Sequence, residues 1–257
     1  MRHPFFSWGQ KSLFYTVAAF CMALVCRVQA VQSTDSDAMF QAANDAFTKA
    51  DYGEAAYLFR ELADESLAPG ALHNLGNVEW RVGRPGHAIL AWERALTLAP
   101  TNRNTLANLR FARLTNQLEE PQRPWYEQYS LWLPAGIWIA VASIGLWGGI
   151  AMLCLPRIFQ RMRSAWSQAF AAIALTAFLL TLPALLGLWK RQHTGVVVTD
   201  DASLLLTPTR TGEILVKPAA GELAQVEKVR GNYYYVRASQ DRAGWIHTRD
   251  FALIWEK

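Results

Sequence analysis

Five histidines, three cysteines and scattered carboxylates are the groups from which this 257-residue chain could build a reactive centre. Their spacing does not do so. There is no H-E-x-x-H, no G-x-S-x-G and no glycine-rich phosphate loop, the patterns that bring a nucleophile, base or phosphate into reach. His73 and His87 are too far apart along the chain, and too poorly supported by acids, for a metal site, so no metal or cofactor is expected. Cys21, Cys26 and Cys154 all fall in apolar stretches, which leaves no disulfide framework and no thiol nucleophile in the polar parts. What remains are side chains suited to holding a ligand: His73, Asn77, Trp80 and Arg81 in one stretch, Tyr233, Tyr235 and Trp245 in another. Amide and guanidinium groups grip a peptide backbone or a terminal carboxylate through charge-assisted hydrogen bonds. The expectation is a binding protein, not an enzyme.

Two charge-free stretches fix the layout that must position these groups. Gln128 to Pro156 and Ser164 to Trp189 carry no charge, and each exceeds the roughly 20 apolar residues needed to cross a bilayer core. Between them lie Arg157, Arg161 and Arg163 with no acid, which assigns the loop 157–163 to the cytoplasm and the flanking regions to the exported side. At the N-terminus, Arg2 and Lys11 precede the apolar run Ser12–Cys26 and the small-residue site Val28-Gln29-Ala30, the pattern of a secretory signal peptide over 1–30. Without cleavage that segment becomes a short anchor, and the chain beyond residue 30 is still exported. The net charge of +4 divides unevenly. Its basic excess sits in the leader and the loop, so it serves export and topology. No region is strongly basic, and no basic stripe is interleaved with stacking aromatics, so no nucleic-acid partner is expected.

The first polar region contains a repeat. Pro69 to Asn102 opens with Leu72, Leu75 and Gly76, turns at Gly83, and continues through Ala88, Trp92 and Ala95 to Pro100. Gly76 and Ala88 fall where two antiparallel helices touch, Trp92 fills the space beside them, and Pro100 stops the second helix. The run N-L-G-N…A-I-L-A-W-E-R-A-L-T-L-A-P resembles a tetratricopeptide (TPR) repeat. A weaker copy precedes it, with Asp51–Ala55 mirroring Arg84–Ala88, Phe59 mirroring Trp92, and Ala43 in place of the glycine. Asn104 to Leu118 reads as a capping helix with Leu106, Leu109 and Leu114 inward. The resemblance implies a concave face carrying His73, Asn77, Trp80 and Arg81 as a peptide site over a domain spanning 31–118. The competing reading is that Trp80 packs on the cap helix and Arg81 is solvated. A linker, 119–130, leads to helices over 131–156 and 164–189. Trp125, Tyr126, Tyr129 and Trp132 suit the headgroup interface, while Gly145 and Gly149 suit close helix packing, either onto the second span or onto a neighbouring protein.

Beyond residue 190 the period changes to that of strands: Gly195–Thr199, Ser203–Leu206, Leu223–Val229, Tyr233–Arg237 and Trp245–His247, with hairpins at 230–232 and 239–242. Alternation points Tyr234 and Val236 inward, and Tyr233 and Tyr235 outward beside Trp245. The run Gly221 to His247, with Tyr233 and Val236 on one strand and Gly244-Trp245-Ile246 on the next, resembles a bacterial SH3 (SH3b) domain; the resemblance spans 194–255 and implies a small all-β barrel, with an aromatic ligand face, as the domain at 190–257.

The fold class expected is therefore a multidomain membrane protein: all-α TPR repeats, a two-helix transmembrane hairpin and a small SH3-like barrel. The whole chain resembles the TPR-containing, aerotolerance-related Bat (BatE-like) proteins of bacterial envelopes, on the residue 74–100 block and L-A-N-L-R-F-A-R at 106–113. The resemblance implies membrane partners bearing von Willebrand factor A domains, MoxR-type ATPases, and an inner-membrane location with both polar domains in the periplasm. The alternative expectation is a peptidoglycan-binding protein that positions a wall enzyme.

Overall fold

The computed structural model describes residues 35–66, 68–121, 123–158, 165–238 and 242–255. The expected signal peptide, most of the basic loop and the tip of the 239–242 hairpin lie outside the described residues. The described chain is mainly helical, ends in an antiparallel sheet, and divides after Ser66 into two compact units.

The first unit is a helix pair, α1 over 35–48 and α2 over Tyr52–Ser66. Ala50, with φ of 59°, turns the chain between them. Asp51 then caps α2, its carboxylate accepting from Glu54 N at 3.2 Å. Phe40 meets Phe59 edge to face at 5.7 Å, so the residue that mirrors Trp92 in the weaker repeat also fills a helix–helix gap.

The second unit starts with α3 (Pro69–Arg81) and α4 (Pro85–Leu98), each with proline in its first turn, where the missing N–H costs nothing. Gly83, with φ of 77°, makes the turn between them. A Cβ at Gly76 would sit 2.6 Å from Trp92 Cδ1, so the two helices approach as closely as they do only because this residue has no side chain. Trp92 fills the contact and donates from Nε1 to the carbonyl of His73 at 3.1 Å. Asn102 caps α5 (Arg103–Thr115), accepting from the amides of Asn104 and Thr105. Contrary to the sequence expectation, Leu114 is 80% exposed. The inward stripe of α5 runs through Thr105, Leu109, Ala112 and Arg113, and Leu114 lies one helical step off it.

A short helix, α6 (Trp125–Ser130), precedes α7 (Ala135–Ile158) and α8 (Ala165–Gln192). α7, over Ala135–Cys154, and the whole of α8 are long and apolar enough to cross a membrane. They pack on each other: Cβ atoms at Gly145 and Gly149 would lie 2.8 Å from Ala174 O and 2.7 Å from the Leu175 side chain, while Gly148 faces open space. Gly145→Leu is therefore expected to lower the unfolding midpoint in detergent by roughly 2–10 °C, with Gly148→Leu as a neutral control. Equal midpoints for the two variants would contradict this packing.

The C-terminal sheet has seven strands among the described residues, in the order β3-β2-β6-β5-β4-β1-β7. They are β1 (Thr194–Val197), β2 (Leu204–Leu205), β3 (Ile214–Val216), β4 (Leu223–Arg230), β5 (Tyr233–Ala238), β6 (Ala243–His247) and β7 (Phe251–Leu253). Five correspond to the expected segments. β3 and β7 had no period-2 alternation to mark them, being three residues each and at the sheet edges. Val197, Leu204, Val226, Val236, Ile246 and Phe251 form a core within the sheet.

A second core joins α4 to the sheet. Ile89, Trp92 and Leu96 pack with Leu109 of α5 and with Val196, Val198 and Ile254 from the strand region. Gly86 makes this possible, since a Cβ there would come within 2.7 Å of the Val197 and Val198 carbonyls. Arg94 closes the seam by donating to the carbonyl of Leu253 at 2.8 Å. The helical repeat and the sheet, assigned separate ranges from the sequence, thus share one interior.

Candidate functional site

With one side of α4 covered by the sheet, the exposed surface of α3, α4 and α5 lies mostly on α5, with Arg81 at the end of α3 beside it. α3 and α5 are tied side by side at three levels. His73 Nδ1 and Thr105 Oγ1 are 2.9 Å apart, Asn108 Nδ2 donates to Asn77 Oδ1 at 2.8 Å, and the Trp80 ring meets Phe111 edge to face at 5.8 Å. Trp80 also leans on Trp92 at 6.1 Å. Three of the four candidate residues, His73, Asn77 and Trp80, therefore line one seam and are partly engaged with α5, while Arg81 stands exposed at its end.

The sequence reading missed two residues of this surface. Phe111 is 59% exposed and Leu114 80%, an unusual display of apolar area on a helix that has a packed opposite face. The signal was present: 34 residues after Asn77 and Trp80 stand Phe111 and Leu114, so the repeat register applied to the cap helix points both onto the open face.

Behind the seam lies a buried charge cluster. Glu93 of α4 is 2% exposed. It accepts from Arg113 of α5, and from Arg123 at 3.1 and 3.2 Å. Burial alone pushes the Glu93 carboxyl up, but Arg123, Arg113 and Arg191 outweigh it and hold it below the ordinary carboxylate range. Lys190 of α8 pairs with Glu127 at 3.4 Å, and Gly187 lets α6 sit against α8. α4, α5, α6 and the end of α8 are thereby locked together.

His73 is pulled below its ordinary value by burial. A histidine that resists protonation when folded takes up protons first in the unfolded chain, so stability falls as pH drops through the unfolded value near 6.5. Glu93 adds a second loss lower down, as pH falls through its depressed folded value. The unfolding midpoint is expected to decline from about pH 7 to 5, and His73→Gln should flatten that limb only. An unchanged limb in His73→Gln would assign the decline elsewhere.

On the sheet, Tyr235 pairs with Trp245 across β5–β6 with rings 5.3 Å apart, and Tyr233 with His247 at 5.1 Å. Lys228 lies over the Tyr235 ring at 5.8 Å. Tyr234 turns the other way, to Phe251 at 5.9 Å, and Val236 is buried. Tyr233, Tyr235 and Trp245 therefore share one half-exposed face.

An open cleft of about 1070 Å³ lies between the 117–124 segment and β4–β5. Its charges largely neutralise one another, Lys190 with Glu127 and Arg242 with Glu222, so it offers no concentrated field. No cluster of three metal-ligating side chains occurs among the described residues.

Compared with known proteins, no family model and no curated protein matches this chain. The fold and surfaces define a mainly helical protein with a C-terminal antiparallel sheet and two helices suited to a membrane.

Proposed function

We propose that this protein is a non-enzymatic envelope scaffold that holds a protein segment in the α3–α5 groove. The observation that carries this reading is the exposure of Phe111, which meets Trp80, and of Leu114 one turn further along α5, with Asn77 and Asn108 bridging the two helices. An extended segment laid there has apolar anchors and a side-chain amide pair for its backbone. In this reading α3–α4 is a TPR repeat with α5 as cap, the sheet is an SH3b-like domain, and α7–α8 is a transmembrane hairpin. The arginine-rich loop stays in the cytoplasm, and the head projects into the periplasm from the inner membrane. The resemblance to Bat-like proteins favours von Willebrand A-type membrane proteins as partners, in a MoxR-associated complex. Affinity purification from crosslinked membranes tests this: Arg81→Glu with Leu114→Ala, both exposed positions, should lose the partners and keep the fold. Undiminished recovery would remove the groove from the function.

A second reading rests on the sheet. Three aromatic rings on one face, with Lys228 above one of them, suit a sugar–peptide polymer such as peptidoglycan. Because the sheet shares its interior with α4, the full-length protein and not the isolated segment is the material for sacculus co-sedimentation. Wall binding lost in Tyr235→Ala and Trp245→Ala, yet intact in the groove variant, would favour this reading.

A further inference from the structure

We infer that the exposed outer face of α5, bordering the α3–α5 seam, takes an acidic peptide segment with apolar anchors; this rests on the reading above and specifies its ligand. Between residues 68 and 118 there are two carboxylates, Glu79 and Glu93, and both are buried, at 1% and 2% exposure. Arg84 and Arg113 hold them. The helices α3 to α5 therefore present no exposed acid. Arg81, Arg103 and Arg110, by contrast, are all exposed on α3 and α5. Arg103, Ala107, Arg110 and Leu114 succeed one another at helical spacing, which sets two guanidinium groups in line with the exposed leucine. Phe111 stands one step round, against Trp80. The next acids in the chain, Glu119 and Glu120, are directed elsewhere: Leu118 turns into the core beside Ile89 and Gly221, and the two glutamates line the cleft facing the sheet.

An apolar strip whose exposed charged neighbours on α3 and α5 are all arginines selects against basic chains as well as for acidic ones. A basic segment meets uncompensated like charge, whereas an acidic one gains bidentate guanidinium–carboxylate contacts. Arginine can also stack beside Phe111 while it pairs, which a lysine surface would do less well. The ligand chemistry is thus Asp/Glu alternating with Leu or Phe.

The test uses the full-length protein in phosphatidylcholine nanodiscs and two fluorescein-labelled probes read by anisotropy. One is a short peptide alternating Leu and Phe with Asp and Glu; the other replaces the acids by Asn and Gln. The acidic probe is expected to bind at least about tenfold more tightly at about 50 mM salt, with the gap closing as salt rises. Arg81→Glu with Arg110→Glu, both solvent-exposed changes, should reverse the preference. Equal binding of both probes, lost together in Phe111→Ala/Leu114→Ala, would overturn the acidic specificity and leave the groove standing. No binding of either probe would overturn both. Association of this face only with vesicles of anionic phosphatidylglycerol, blocked by the Arg variants, would replace the peptide with lipid and overturn the inference.

Discussion

Replacing Phe111 and Leu114 together by alanine is expected to cut recovery of crosslinked partners at least about tenfold, while the unfolding midpoint moves by no more than roughly 2 °C. The separation arises from where the two side chains lie. At 59% and 80% exposure they give up little area on folding, so their removal costs the folded state little. A bound segment would bury both, and truncating two central apolar anchors commonly removes well over 1.4 kcal/mol, a factor of ten in affinity. Trp80 is less informative, because its ring also packs on Trp92 and its loss mixes binding with stability. A large fall in midpoint with partner recovery unchanged would mean that the two residues are structural.

Glu93→Gln is expected to be the most damaging single change for stability, at about 3–5 kcal/mol, or roughly 10 °C or more in midpoint. The substitution keeps the shape and removes the countercharge from Arg113, whose side chain is only 10% exposed. Burying a guanidinium with no anion costs far more than a buried pair contributes, which is why one half of such a pair is the sensitive place to cut. The double change Glu93→Leu with Arg113→Leu should destabilise less than Glu93→Gln alone. Arg123 then loses its partner as well, but its side chain is 21% exposed and has access to water. Thermal unfolding of the three proteins side by side reads this directly. A double variant weaker than Glu93→Gln would show that the pair contributes more than its desolvation costs.

The physical reasons for success and failure of the sequence reading differ by element. Gly76, Trp92 and Gly83 were legible because close helix contact and a positive φ each demand one residue type, and the chain supplies it at the matching spacing. The inward turn of Val236 and the outward turn of Tyr235 came from the strict period of a strand. Gly145 and Gly149 could be read as a packing face, but not which partner they packed on. Leu114 misled because hydrophobicity was taken as the mark of the inside. Arg113 occupies the buried position in its stead, and only the distant Glu93 makes that tolerable. No local pattern reveals a pair joined across twenty residues. The shared interior of α4 and the sheet was hidden for the same reason. Gly86 reads as part of a turn-like Pro-Gly start to a helix, and its second duty, admitting the β1 backbone, depends on contact with residues more than a hundred positions away. The α3–α5 seam was half legible: His73, Asn77 and Trp80 came from the repeat register, while Phe111 and its exposed neighbour Leu114 required carrying that register one helix further.

The most direct measurement is in-cell photocrosslinking with a photoreactive residue installed in place of Leu114, compared with one installed in place of Tyr233. A scaffold that holds its partner between α3 and α5 predicts protein adducts from position 114 that disappear in Arg81→Glu/Arg110→Glu, and few from position 233. Protein or wall adducts from position 233 alone, with position 114 yielding none, would contradict the groove and move the function to the aromatic face of the sheet.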